Sequence, residues 1–169
     1  MGSYIDAVIF SSARPTPTVP EGFAIVPLNA ELGMIPITED LVQRLDQSTI
    51  GDDRIPAGWM LKQPVAALAR SLSADRAVVY IHSETFGGPG IREAIAYRFG
   101  KLLYGPAGTS DIEQDLEPGY HLAWGHNNAV NSGLRAIGVH AAEEDDEYGT
   151  IGLEKHRTTE DWLQDSGTP

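Results

Sequence analysis

His82 and Glu84 stand two residues apart in Ala77-Val78-Val79-Tyr80-Ile81-His82-Ser83-Glu84, a run apolar and β-branched enough to form a strand. Alternation puts both side chains on one face of it. If Glu84 pairs with Ile91 beyond the following turn, His82 lies opposite Glu93, and Tyr80 and Tyr97 share that face. An imidazole between two carboxylates can move a proton or hold a metal, so His82, Glu84 and Glu93 form a candidate acid–base cluster. The competing reading of the same residues is a charged pair on the solvated side of a sheet.

Glu84 is followed by Thr85-Phe86-Gly87-Gly88-Pro89-Gly90, where three glycines in four positions allow positive φ and close approach of another backbone. A dinucleotide fingerprint needs Gly-x-Gly-x-x-Gly, but Glu93 occupies its last position, and the Gly-Lys-Ser/Thr of a phosphate loop is missing. Phe86, Gly87, Gly88 and Gly90 therefore read as a wide hairpin loop able to meet a protein partner. His121 and His126 are five apart, which separates them on either a helix or a strand, unlike the i, i+4 pair of a zinc protease. The chain has no cysteine, no Gly-x-Ser-x-Gly elbow and no Asp-x-Asp-x-Asp-Gly calcium loop, so the expectation is no metal and no cofactor.

Charge is unevenly spread. The chain carries 24 acids and 12 Lys plus Arg, a formal net of −12, and residues 106–169 hold 13 of the acids but only three bases. The acids fall in three groups: Asp111/Glu113/Asp115/Glu117, Glu143 to Glu147, and Glu160/Asp161/Asp165. Such a balance opposes binding to nucleic acid or to an anionic membrane, and instead steers a basic partner toward the surface. Glu143, Glu144, Asp145 and Asp146 are the partner-facing candidates in this field.

These residues must be positioned by a single domain, since 169 residues suffice to bury one core without disulfides. Strands are expected over Tyr4–Ser11 and Phe23–Leu28, joined by the extended Pro15-Thr16-Pro17-Thr18-Val19-Pro20 stretch. A three-strand antiparallel meander is expected from Ala77 to Tyr104, with a turn at Gly100. Helices are expected after Thr38, with Ile37 stapled onto Val42, from Pro64, after Asn127 or Asn128 with Gly138 as C′ residue, and from Thr158 with a capping-box spacing to Asp161. The sum is an α+β fold: an antiparallel sheet containing a central meander, covered by short amphipathic helices. The domain spans 1–163, Trp162 folds back onto it, and 164–169 form a frayed tail. No run of about 18 apolar residues occurs, and Met1 to Phe10 lack a basic n-region, so a cytoplasmic location is expected.

The strand ending in Glu-Thr-Phe-Gly-Gly-Pro-Gly, with the tail Glu154-Lys155-His156-Arg157-Thr158-Thr159-Glu160-Asp161-Trp162-Leu163, resembles a family of small uncharacterised acidic actinobacterial proteins. In size and acidity it is also similar, as a class, to immunity proteins that neutralise secreted bacterial toxins. The resemblance implies a non-enzymatic cytosolic protein-binding module, such as an immunity-type inhibitor that docks its acidic half and glycine-rich loop over a basic toxin or enzyme. The alternative is a small hydrolase or ligand-binding enzyme using His82, Glu84 and Glu93. A homo-oligomer is compatible with either.

Overall fold

Strand β1 (Ser3–Ser11) carries apolar side chains on both of its faces, and Ile5, Ala7, Val8, Ile9 and Phe10 are all buried. A strand of that composition belongs inside a sheet covered on two sides. The computed structural model describes residues 2–48, 50–87, 89–113 and 116–167. Within them β1 pairs with β3 (Leu32–Pro36) on one side and β4 (Ala77–Thr85) on the other. Adding β2 (Val26–Leu28), β5 (Gly90–Arg98), β6 (Lys101–Ser110) and β7 (Tyr120–Leu122) completes the spatial order β2-β3-β1-β4-β5-β6-β7. All neighbours are antiparallel except β6 and β7, which run parallel. The expected meander is β4-β5-β6, and the fold is α+β.

Two helical layers enclose the sheet. Val8, Phe10, Tyr80, Ile95 and Tyr97 face α1 (Glu39–Asp46) and α2 (Gln63–Leu72). Ile5, Ile9, Val79, Ile81 and Ala94 face α3 (Ala129–Ala136), α4 (Glu147–Thr150) and α5 (Thr159–Asp165). Among the described residues no helix is long and apolar enough to cross a membrane.

Local sequence explains most of the boundaries. Pro64 sits in the first turn of α2. Asn128 caps α3 by accepting from Asn131 N, and Gly138, at φ 98°, ends it with Val139 N reaching Leu134 O and Gly138 N reaching Arg135 O. Thr158 and Asp161 close a capping box on α5, which delivers Trp162 to the core at 3% exposure. Helix α5 continues through Gln164 to Asp165, whose carboxylate accepts from Lys155 Nζ at 2.6 Å, so the domain boundary expected after 163 falls inside an element.

Strands β3 and β7 escape the sequence reading because glycine interrupts the strands they need. Gly33 lies opposite Phe10, whose ring crosses it so closely that a Cβ there would sit 2.6 Å from the ring. Gly108 lies opposite Tyr120 in the same way, under the tyrosine ring. In both pairs the missing side chain is the space that an aromatic from the next strand occupies.

Helix α5 is seven residues long and stays in place through its cap and Trp162. Thr158→Ala is expected to lower the unfolding free energy by about 1 kcal/mol, and Trp162→Ala by about 3–5 kcal/mol. Urea denaturation would measure both. Equal effects from the two would mean that the helix is held by something other than its indole.

Candidate functional site

The pairing of β1, β4 and β5 sets Asp6, His82 and Glu93 side by side in one row across the sheet. The next row on the same face is Tyr4, Glu84 and Ile91. The expected register of His82 opposite Glu93 therefore holds, and Tyr80 and Tyr97 do share the face. Its environment is not the solvated one. His82 and Glu93 are both 0% exposed, because Trp59 to Lys62 lie over this end of the face.

The cluster also regroups. Glu93 turns away from the imidazole: it accepts from Met60 N at 3.0 Å and Leu61 N at 2.7 Å, and it accepts a hydrogen bond from the Tyr120 hydroxyl. Trp59 packs edge-on to Tyr120 and donates its indole N–H to Pro118 O at 3.2 Å, while Lys62 N donates to the Tyr80 hydroxyl. Asp6 takes the place that Glu93 leaves. His82 Nδ1 is 3.8 Å from Asp6 Oδ2, Nε2 is 3.7 Å from Glu84 Oε2, and the Tyr4 ring stands edge-on at 5.1 Å. Both separations exceed a hydrogen bond, and neither ring nitrogen nor Asp6 Oδ1 has another partner. Glu84 alone of the three reaches the surface, with about a fifth of its side chain exposed. The sequence does carry a signal for Asp6, a single carboxylate among the apolar side chains of β1 and in phase with Val8 and Phe10.

Burial sets the electrostatics of this row. It pushes the Asp6 carboxyl up from its ordinary value, with His82, Tyr80 and Lys62 only partly opposing it. Tyr4 is pushed up to about 12 by burial and then by Asp6 and Glu84. Burial also raises Tyr80, reinforced by Asp6, and raises Tyr120, reinforced by Glu93.

A cleft of about 390 Å³ opens at the same end of the sheet but on the other face. Ser83 and Arg92, paired across β4 and β5, form its floor. Its walls carry Arg157, His126, His156, Asp146 and Glu154. Arg92 is already engaged by Asp111 at 3.0 Å, and Asp111 also accepts from Gly90 N. Asp146 caps α4 through Gly149 N and accepts from Asn131 Nδ2 at 2.8 Å. Asp145, Asp146 and Glu154 each bring one oxygen within 4.8 Å of the others, the grouping here best placed for a cation. His121 lies on β7 and His126 in the 3-10 turn Gly125–Asn127; neither joins that grouping.

Of the residues expected to meet a partner, Asp146 lines this cleft and others adjoin its lining in sequence. Phe86 follows the lining residue Thr85 and is 65% exposed, and Trp124, which precedes the lining residue Gly125, is 68% exposed. The sequence reading missed Trp124. Gly87 is exposed in the left-handed region, Gly90 is buried against Asp111, and Gly88 lies outside the described residues. Glu143, Glu144 and Asp145 are exposed just before α4. No family model, curated protein or solved structure matches the chain.

Glu93→Gln would set its amide NH2 against the backbone N–H of either Leu61 or Met60, and is expected to cost about 1–3 kcal/mol. Tyr120→Phe should cost a similar amount, and the double substitution less than the two together. A fully additive double-mutant cycle by urea unfolding would show that Glu93 and Tyr120 act independently.

Asp6 gives a pH test with a definite sign. Because its folded value lies above 3.8, its contribution is full below that pH and is lost as pH climbs through the folded value. Asp6→Asn cannot lose it. The stability of Asp6→Asn relative to the native chain should therefore rise between pH 4 and pH 7, and a constant difference would mean that His82 and Lys62 compensate the buried charge completely.

Proposed function

We propose that the chain is a non-enzymatic, cytosolic protein-binding module that docks a basic partner over the cleft at the end of the sheet, in the manner of an immunity-type inhibitor. The observation that carries this reading is the pair of exposed aromatics, Phe86 and Trp124, flanking a cleft whose walls include Asp146 and Glu154. Exposed aromatic side chains beside a polar concavity suit a packed interface centre. Glu143, Glu144 and Asp145 would supply the field that draws a basic partner in. Inhibition would follow from steric cover of the partner's own active cleft.

A second reading has one observation in its favour. The imidazole of His82 sits between Asp6 and Glu84 with both nitrogens unpartnered, an arrangement that would pass a proton toward the surface through Glu84 once the 3.7–3.8 Å gaps close to hydrogen-bond length. Against it, His82 does not line the cleft, and Glu93 is committed to the backbone of 60–61.

The test is capture of a stoichiometric basic protein from the native host, followed by stopped-flow binding of that protein. Replacing Glu143, Glu144 and Asp145 by amides should slow association and flatten its salt dependence, since exposed charges are screened beyond about 8 Å at physiological salt. Phe86→Ala and Trp124→Ala should each raise the dissociation rate about tenfold, which corresponds to about 1.4 kcal/mol. Unchanged rates in all three variants would overturn the proposal, and a turnover abolished by His82→Ala would replace it with the enzymatic one.

A further inference from the structure

The opposite end of the sheet carries a surface of different character. Arg98 and Lys101 pair across the β5–β6 turn, and the two residues between them, Phe99 and Gly100, have φ of 53° and 70°. A two-residue turn of this handedness favours Asn-Gly, because asparagine tolerates the left-handed region that a bulky side chain resists. Phenylalanine is strained at that position and gains no burial in return, since it is 64% exposed. Strain retained at an exposed position points to a use for the side chain.

The surroundings say what that use is. Beyond Phe99, β6 forms an open sheet edge: β7 pairs only with Gly108 to Ser110, and among the described residues no strand pairs the outer side of Lys101 to Gly105. Leu102 and Leu103 are exposed on this edge, and Ile50 projects beside a neighbouring cleft of about 530 Å³ lined also by Arg70 and Gly100. Arg70, Arg98 and Lys101 are all exposed, and among the described residues none of them forms an ion pair; Arg70 Nε holds Gly100 O at 2.9 Å. In a chain of net charge −12, three cations without counterions beside an unpaired edge select an anionic occupant.

We propose that this end of the molecule docks an extended acidic segment of a partner protein, which adds to β6 as a further strand. Its main chain would pair along the edge at Lys101 to Leu103, ahead of the bulges that interrupt the β5–β6 ladder, its apolar side chains would rest on Leu102 on the α2 face, and its carboxylates would meet Arg98 and Lys101 on the other. A second copy of the chain fits less well, because pairing two β6 edges would place the same cations on both sides of the seam. The surface is separate from the Phe86–Trp124 cleft and does not rest on that cleft's role.

The probe is a blocked octapeptide of alternating Glu and Val, with a Lys and Val octapeptide of the same length as control, followed by 15N chemical shifts and anisotropy on the full chain. The Glu-Val peptide should bind at least tenfold more tightly than the control, with shifts confined to residues 98–105 and around Arg70. Arg98→Glu with Lys101→Glu should abolish that preference. Phe99→Asn should raise the melting temperature while weakening the peptide at least tenfold, a combination that loss of folding cannot produce. Equal binding of the two peptides, binding unaffected by these variants, a lower melting temperature for Phe99→Asn, or concentration-dependent dimerisation through this edge would each overturn the proposal.

Discussion

A carboxylate buried at 0% exposure requires donors, and the way Glu93 obtains them organises much of the molecule. It draws two from the backbone of Met60 and Leu61 and a third from Tyr120. The first two fix the irregular connection between α1 and α2 onto the sheet, and the third ties β7 across β6 to β5. Removing any partner leaves a buried charge short of a bond, so these contacts form and fail together. The lid thus formed, with Trp59 against Tyr120 and Lys62 N on Tyr80, is what makes the His82 row an interior.

That same lid explains which parts of the site were legible in the sequence. The register of His82 and Glu93 was readable because it depends only on local arithmetic: Thr85 pairs with Gly90, and Phe86 N reaches Pro89 O to close the loop between them. The burial of the row was not readable, because it comes from residues 59–62, some 30 positions away, and from Tyr120. Asp6 was visible as a lone acid in an apolar strand, yet nothing local says that β1 lies beside β4. Strands β1, β4 and β5, the Asn128 and Thr158 caps and Trp162 follow from periodicity and capping chemistry, which act within a few residues, whereas β6 runs past the expected end at Tyr104 to Ser110 and Thr38 precedes α1 without a side-chain cap bond. Strands β3 and β7 are short and depend on Gly33 and Gly108 yielding room to Phe10 and Tyr120, a non-local bargain that reads as a break in the pattern.

The charge distribution takes on a direction once the fold is known. The strand ends that carry Phe86 and Trp124 share their surroundings with Asp111, Asp146 and Glu154, and the α4 approach adds Glu143 and Glu144. The other ends of β5 and β6 carry Arg98 and Lys101, with Arg70 alongside. The helical layers between them pack against the sheet with apolar side chains. The two ends therefore differ: the cleft end mixes acids with Arg92, Arg157, His126 and His156, whereas the β5–β6 turn carries Arg98 and Lys101 with Arg70 beside it.

Burial also bears on what the two carboxylate-rich regions can do. Asp6, His82 and Glu84 lie in one row at 3.7–3.8 Å, beyond hydrogen-bond distance, and two of the three are sealed beneath Tyr4 and the 59–62 segment. The cleft on the other face is open, yet much of its polar chemistry is already spent: Arg92 on Asp111, and Asp146 on Gly149 and Asn131. Around it stand the exposed Phe86 and Trp124, with Glu143 and Glu144 ahead of α4, while Arg157 and Glu154 bring charges of both signs to the wall. Aromatic area and mobile charge serve recognition better than bond making, because they give affinity and encounter rate without requiring a positioned reactive atom. The division between sealed acid–base chemistry and exposed adhesive surface is the physical ground for reading this chain as a binder.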